Sequence, residues 1–390
     1  MSIQTARRMN QARRSFVREI LKAAAKSEVI SFAGGLPSND LIPVAQVANA
    51  VQEILATEGA KALQYCTAEG HPALRQWVAD QYRAAGLSVS PDQVLIISGS
   101  QQGFDLIGKV LLEPGDAIIV EDPTYIAALQ SFGLFEPNML AVPMDQEGIQ
   151  MDSLRPVIHG AKLLYTMPSF QNPTGISYSA ARRAEVTNLL RDTSVVLVED
   201  DPYSLLSFDG RTIPPMASQL PDRTILLGTF SKFLAPGLRL GWICAPMELM
   251  EKLTIAKQAL DLCSENLGQW VIHRLLSSPD FSSYLQTVRA TYARNCRAMR
   301  AAVKRHLPDA QCTDPAGGMF VWLTLPPDVS ALDLFHTAIE KGVAFVPGQA
   351  FFANGGGENT LRLNFTRCGP ETIEDGIARL GAAYRSLACY

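Results

Sequence analysis

Between about residues 40 and 275 the chain alternates short runs, apolar at nearly every position, with longer and more polar stretches of helical spacing. The runs lie at 94–98, 117–120, 163–166, 195–199, 224–228 and 241–245 and are rich in Val, Ile and Leu. A strand wetted on one face alternates apolar and polar residues, whereas a strand covered on both faces need not. Alternation of such strands with helices predicts an α/β architecture, a mostly parallel sheet between layers of helices. After residue 275 the pattern changes to one long helical stretch at 281–306 and strand-like segments at 319–325, 344–346 and 361–365, a smaller α+β unit. Residues 5–26 carry apolar side chains at helical spacing with Arg and Lys between them, an amphipathic helix. Ser31-Phe-Ala-Gly-Gly-Leu-Pro37 then interrupts regular structure. The expected division is 1–40, an N-terminal helix and lid segment grouped with the small unit, then 41–275, a large domain, then 276–390, the small domain.

Composition excludes several classes. Lys and Arg number 34 against 38 Asp and Glu, a net charge of -4, so the basic surplus of a nucleic-acid binder is absent. No apolar run approaches the roughly 20 residues of a membrane span. The first 20 residues are basic and amphipathic, without the apolar stretch of a secretory signal. Seven widely spaced cysteines without a C-x-x-C pair point to reduced thiols in a cytoplasmic protein. The five histidines lack metal-ligand spacing, so no metal is expected. Neither G-x-G-x-x-G after a strand nor G-x-x-x-x-G-K-[ST] occurs.

Four motifs do carry chemistry, and each follows an expected strand, at the carboxyl edge where open α/β sheets bind ligands. Ser98-Gly-Ser-Gln-Gln-Gly103 opens a helix, so it is either a cap or a cradle whose amides and helix dipole suit a phosphate. Pro168-Ser-Phe-Gln-Asn-Pro-Thr-Gly175 is a loop that is either a plain turn or a mount for Asn172 as a donor. Glu199-Asp-Asp-Pro-Tyr203 places Asp200 and Tyr203 to hold a protonated ring nitrogen and a ring oxygen, with helix capping by Asp201 as the alternative. Thr229-Phe-Ser-Lys232, with Arg239 following, sets a lysine between Phe230 and Phe233 that is either a solvated surface charge or a desolvated amine. Desolvation lowers the pKa of such an amine and makes it a nucleophile able to form a Schiff base.

A phosphate cradle, a ring-nitrogen acid, a ring-oxygen partner and an imine lysine together fit pyridoxal 5′-phosphate. On these motifs the sequence resembles the class I/II aminotransferases of the aspartate aminotransferase fold, fold type I. Ser31-Phe-Ala-Gly-Gly-Leu-Pro37, Leu63-Gln-Tyr-Cys-Thr-Ala-Glu-Gly70, the two loops at 99–103 and 168–175, and 351–363 narrow the resemblance to the 2-aminoadipate and kynurenine aminotransferase branch. The resemblance implies a seven-stranded large-domain sheet, a homodimer with shared active sites, and two half-reactions between an L-amino acid and a 2-oxo acid such as 2-oxoglutarate. It implies that Lys232 forms the internal aldimine and shuttles the proton, that Asp200 keeps the pyridine nitrogen protonated, and that Asn172 and Tyr203 bind the ring oxygen. Tyr125 would stack on the ring, Ser100, Gln101, Thr229, Ser231 and Arg239 would surround the phosphate, and Tyr65 would reach the neighbouring subunit's phosphate. Arg362 would clamp the substrate α-carboxylate, Gly34 and Gly35 would let the backbone close over it, and Arg18 would read a distal carboxylate. A lyase or racemase shares these cofactor residues and is the alternative. A non-catalytic sensor module is expected to need a winged helix ahead of residue 31, for which there is no room.

Overall fold

The structure is a computed structural model that describes residues 3–10 and 29–387. Of the expected N-terminal helix, the turn Arg7–Asn10 is described and helical. The rest of that helix, with Arg18, lies outside the described residues. The strands in chain order are β1 (Ile30–Ser31), β2 (Val94–Ile97), β3 (Ala117–Asp122), β4 (Asn138–Asp145), β5 (Gly148–Ile149), β6 (Ala161–Thr166), β7 (Val196–Asp200), β8 (Thr224–Thr229) and β9 (Gly241–Cys244). They are followed by β10 (Gln311–Cys312), β11 (Phe320–Thr324), β12 (Val343–Ala344), β13 (Val346–Pro347) and β14 (Thr360–Asn364).

The main sheet has the order β2-β9-β8-β7-β6-β3-β4-β5. From β8 through β7, β6 and β3 to β4 every pairing is parallel, and β9 runs antiparallel to both its neighbours. The six all-apolar runs became β2, β3, β6, β7, β8 and β9. The seventh strand, β4, escaped the pattern because it is only partly covered: Val142 alone in it is buried. A partly covered strand has no need of a continuous apolar run. Two residues of β5 fold back on β4 and bring the count to eight, one more than the resemblance implied.

Both faces of the sheet are buried, which is why its strands lack a polar alternation. One face packs Ile97, Val120, Leu163, Val198 and Leu227 against Phe104 and Phe132. The other packs Ile119, Leu164 and Leu197 against Val186 and Leu190. The C-terminal part holds the antiparallel sheet β10-β11-β14-β13 beside the long helix Phe281–His306. Residues 30–31 are tied to this part, since β1 pairs in parallel with β12. Phe32 continues that stitch: its N–H donates to Ala344 O at 2.8 Å and its carbonyl accepts from Asn364 N at 2.8 Å. Among the described residues no helix is long and apolar enough to cross a membrane.

Strand β8 delivers the Thr229-Phe-Ser-Lys232 turn, and its end is packed tightly. A Cβ on Gly228 would lie 2.2 Å from the Trp242 ring. Trp242 cannot yield, because its Nε1–H donates to Tyr82 Oη at 2.9 Å and its ring meets Phe230 at 4.7 Å. Gly228→Ala is therefore expected to lower stability by roughly 1–3 kcal/mol in chemical denaturation. Gly59→Ala, in the helix Val44–Ala62 where an added Cβ meets nothing within 4 Å, is the contrasting case and should raise it.

Candidate active site

The direction of the strands collects the site. Parallel strands β3, β6, β7 and β8 end at one edge, and their loops carry Tyr125, Asn172, Asp200 with Tyr203, and Lys232. Strand β9 runs the other way, so its first residue, Gly241, lies opposite Thr229 of β8 and Ile97 of β2. Arg239, two residues before that start, thus arrives beside the turn that follows β2. Gly99 in that turn has φ +83, and a Cβ there would come within 2.9 Å of Arg239 Nη2. Ser100 and Gln101 follow at the N-terminus of the helix Ser100–Leu111, where free amides and the helix dipole favour an anion. Thr229 and Ser231 are buried beside it, and Ser231 N donates to Thr229 Oγ1 at 3.1 Å.

Residues 33–35 and β14 lie over this edge. Lys232 Nζ donates to Gly35 O at 3.0 Å. Arg362, on β14 and 4% exposed, donates through Nη1 to Asn172 Oδ1 at 2.6 Å and through Nη2 to Ala33 O at 2.7 Å. Its guanidinium lies over the rings of Phe320, at 4.2 Å, and Phe351, at 4.9 Å, a cation–π arrangement that fixes its plane. The segment 33–35, Asn172, Lys232 and Arg362 are therefore brought together at this edge. Tyr65 stands on the surface, 77% exposed.

Charge here is held out of water. Burial pushes the Asp200 carboxyl up to about 7, although Tyr165 Oη donates to its Oδ2 at 2.9 Å. Burial and the nearby Arg362 and Arg239 cations bring the Lys232 amine down to about 8 against the pull of Asp200. Burial also lowers Arg362 to about 10. Asp201 accepts from Ser204 N at 3.0 Å and so holds the turn that follows β7, while Asp200 is buried beside Tyr165. Of the site's buried polar atoms, Ser100 Oγ, Asp200 Oδ1 and Arg362 Nε have no partner among the described residues, the first two of them beneath the sheet-edge loops. Unpaired buried polar atoms are costly, so these two mark where ligand atoms complete the site. An anion suits the first, and a ring N–H suits the second.

Sequence reasoning passed over the support beneath the loops. Glu121, fully buried at the end of β3, accepts from Thr166 Oγ1 at 2.5 Å, Tyr178 Oη at 2.8 Å, Met167 N at 3.1 Å and Gln171 Nε2 at 2.8 Å. Gln171 also donates to Pro123 O at 2.8 Å and accepts from Thr174 N at 3.0 Å. One amide thereby fixes the loop of Tyr125 and the loop of Asn172 against each other. The sequence signal was a glutamate closing an all-apolar run, which no exposed position required.

The aminotransferase class I and II family model matches residues 27–380, and the chain belongs to that family. It is a pyridoxal-phosphate-dependent aminotransferase of fold type I. It is 42% identical over 380 residues to a 2-aminoadipate transaminase of Thermus thermophilus, covering 96% of this chain and 94% of the relative. It is 40% identical over 379 residues to aromatic-amino-acid aminotransferase 1 of Thermococcus litoralis, covering 94% and 90%. The crystal structure of LysN, an α-aminoadipate aminotransferase of Thermus thermophilus complexed with N-(5′-phosphopyridoxyl)-L-leucine, superposes with a TM-score of 0.92 at 40% identity, covering 99% and 98%.

Gln171→Glu would set two buried carboxylates against each other, whereas Gln171→Leu removes the amide's donor and acceptor without adding a charge. Glu121 already has a raised pKa in the fold because of burial, so its ionised form is the disfavoured one. The stability deficit of Gln171→Glu should therefore be least below about pH 4 and grow as pH rises above it. Denaturation midpoints at pH 5 and pH 8 check this, and Gln171→Leu should show the weaker dependence.

Proposed function

We propose that the chain moves an amino group between an L-amino acid of 2-aminoadipate-like, aromatic or aliphatic type and a 2-oxo acid, 2-oxoglutarate foremost, in two half-reactions. The observation that carries this reading is the convergence of Lys232, Asp200 and Arg362 on one water-poor edge. The donor set fits pyridoxal phosphate. Ser100, Gln101, Thr229, Ser231, Arg239 and the helix N-terminus suit the phosphate, Asp200 Oδ1 suits the ring nitrogen, Asn172 and Tyr203 the ring oxygen, and Tyr125 the ring face. When bound, the cofactor supplies an aldehyde and a cationic ring that accepts the electron pair left by the substrate α-proton.

The chain's own side chains do the rest. Arg362 presents a planar fork to the substrate α-carboxylate, pre-oriented by two aromatic faces, by Asn172 and by Ala33. Lys232 Nζ, with its pKa brought near neutrality, takes the proton from the substrate Cα and returns it. Residues 32–37 cover the amine and exclude water, with Gly34 and Gly35 allowing the backbone to approach. Arg18 reads a distal carboxylate. The division at 1–40, 41–275 and 276–390 is supported by the separate sheets and by the pairing of β1 with β12.

A homodimer in which Tyr65 completes the partner's phosphate site is supported by exposed apolar side chains around it. Leu63 is 69% and Leu262 52% exposed, and their segments are joined where Cys66 Sγ donates to Ser264 O at 3.5 Å. A cytoplasmic setting is supported by the described cysteines, which are free thiols.

Lys232→Ala should take up pyridoxal phosphate without the yellow band of the wild type and show no transamination. In wild-type apoprotein the rate of cofactor uptake should rise with pH through about 8 and level off above, since only the neutral amine attacks. A rate flat from pH 6.5 to 9.5 would contradict this. Turnover of amino acid without formation of a 2-oxo acid would favour the lyase or racemase. Arg18→Ala should reduce kcat/KM for long dicarboxylic substrates by roughly tenfold or more while sparing aromatic and aliphatic ones. Equal losses across the panel would reject the selective role.

A further inference from the structure

Tyr165 lies inside the apolar run of β6 and reads from sequence as core. It pairs with Val198 of β7, so Val198 and Asp200, two residues apart, share its face of the sheet. The long phenol spans the diagonal, and its Oη donates to Asp200 Oδ2 at 2.9 Å. Edge-on contacts to Phe104 at 5.7 Å and Phe132 at 5.8 Å hold the ring. The other groups facing Asp200 are Asp201 at the end of its own strand, Glu121 from β3, Lys232 after β8, and the phenols of Tyr125 and Tyr203. Two of these are acids that oppose ionisation of Asp200, and Lys232 is a weak counterweight. Among the described residues Tyr165 gives Asp200 its one side-chain hydrogen bond, while Oδ1 is buried without a partner.

We propose that Tyr165 is a positioning residue for the cofactor ring: it holds Asp200 Oδ2 and keeps the carboxylate ionised, leaving Oδ1 free to keep the ring nitrogen protonated. Donation to a carboxylate favours its charged form. Burial pushes the phenol's own pKa well above the ordinary value, so it stays a donor across the working pH range. The inference rests on Asp200 meeting the ring nitrogen.

The test titrates apoprotein by fluorescence quenching with two probes, pyridoxal phosphate and its 1-deaza analogue, in which a ring CH replaces the nitrogen. Tyr165→Phe is expected to weaken pyridoxal phosphate binding by about 10- to 100-fold, the worth of a hydrogen bond to a charged group, and to leave the analogue nearly unaffected. Loss of the same factor for both probes would mean a structural role and overturn the proposal. Asp200→Ala separates the two levels. If it spares the preference for pyridoxal phosphate over the analogue, the reading of Asp200 fails. If it abolishes the preference while Tyr165→Phe keeps it, only the role of Tyr165 fails. A spectroscopic readout is independent of affinity. A less cationic ring repels the protonated Lys232 nitrogen less, so the pH midpoint of the bound cofactor's visible band should rise in Tyr165→Phe, and an unmoved midpoint overturns the proposal. Should Tyr165→Phe not fold, Tyr165→His keeps a ring N–H donor and is expected to retain the preference; losing it as fully as Asp200→Ala does would count against the proposal.

Discussion

Taking a carboxyl and an amine out of water at the same sheet edge is the constraint on which the rest of the site depends. In water Asp200 would be a fully ionised acid and Lys232 a fully protonated base. Burial moves both toward neutral pH, to about 7 and about 8, where each can exchange a proton at little cost. Such groups are tolerated in an interior only when the surroundings supply partners. Tyr165 and the Gly35 carbonyl supply part of that, and the open positions on Asp200 and Ser100 call for a ligand to supply the remainder.

That requirement explains the weight of polar structure beneath the loops. Glu121 gathers four donors from β6, from Tyr178 and from the Asn172 loop, and Gln171 ties that loop to the one carrying Tyr125. On the far side of Asp200, Glu199 accepts from Met216 N and Ala217 N, each at 2.9 Å. The nearby Arg183 donates to Pro168 O at 2.7 Å and to Ser169 Oγ at 2.9 Å. Loops ordinarily tolerate displacement, but here their backbone is hydrogen-bonded to buried ionisable groups. Rigid placement of Asn172 in turn orients Arg362, so the anchoring reaches the guanidinium proposed to bind substrate.

The eight-stranded sheet contributes direction rather than chemistry. Parallel strands deliver four loops to one edge, and the reversed β9 brings Arg239 to the same edge from the opposite heading. No residue of the site is near most of the others in sequence; strand order brings the loop residues together, and β14 and residues 33–35 add Arg362 and the covering backbone.

How much of this was legible beforehand follows from where the signals are local. An all-apolar run announces a doubly covered strand, and a Lys between two Phe after such a run announces a desolvated amine, because both depend on adjacent residues. The sequence by itself therefore determined the α/β class, the aminotransferase family and the candidate cofactor residues. Strand β4 was missed because partial exposure removes the need for apolar continuity. Tyr165, Glu121 and Gln171 escape a sequence reading because their meaning lies in partners 35 to 50 residues away. Only the tertiary structure decided which buried oxygen finds a donor and which is left open, since that is settled by strand register and packing across the sheet.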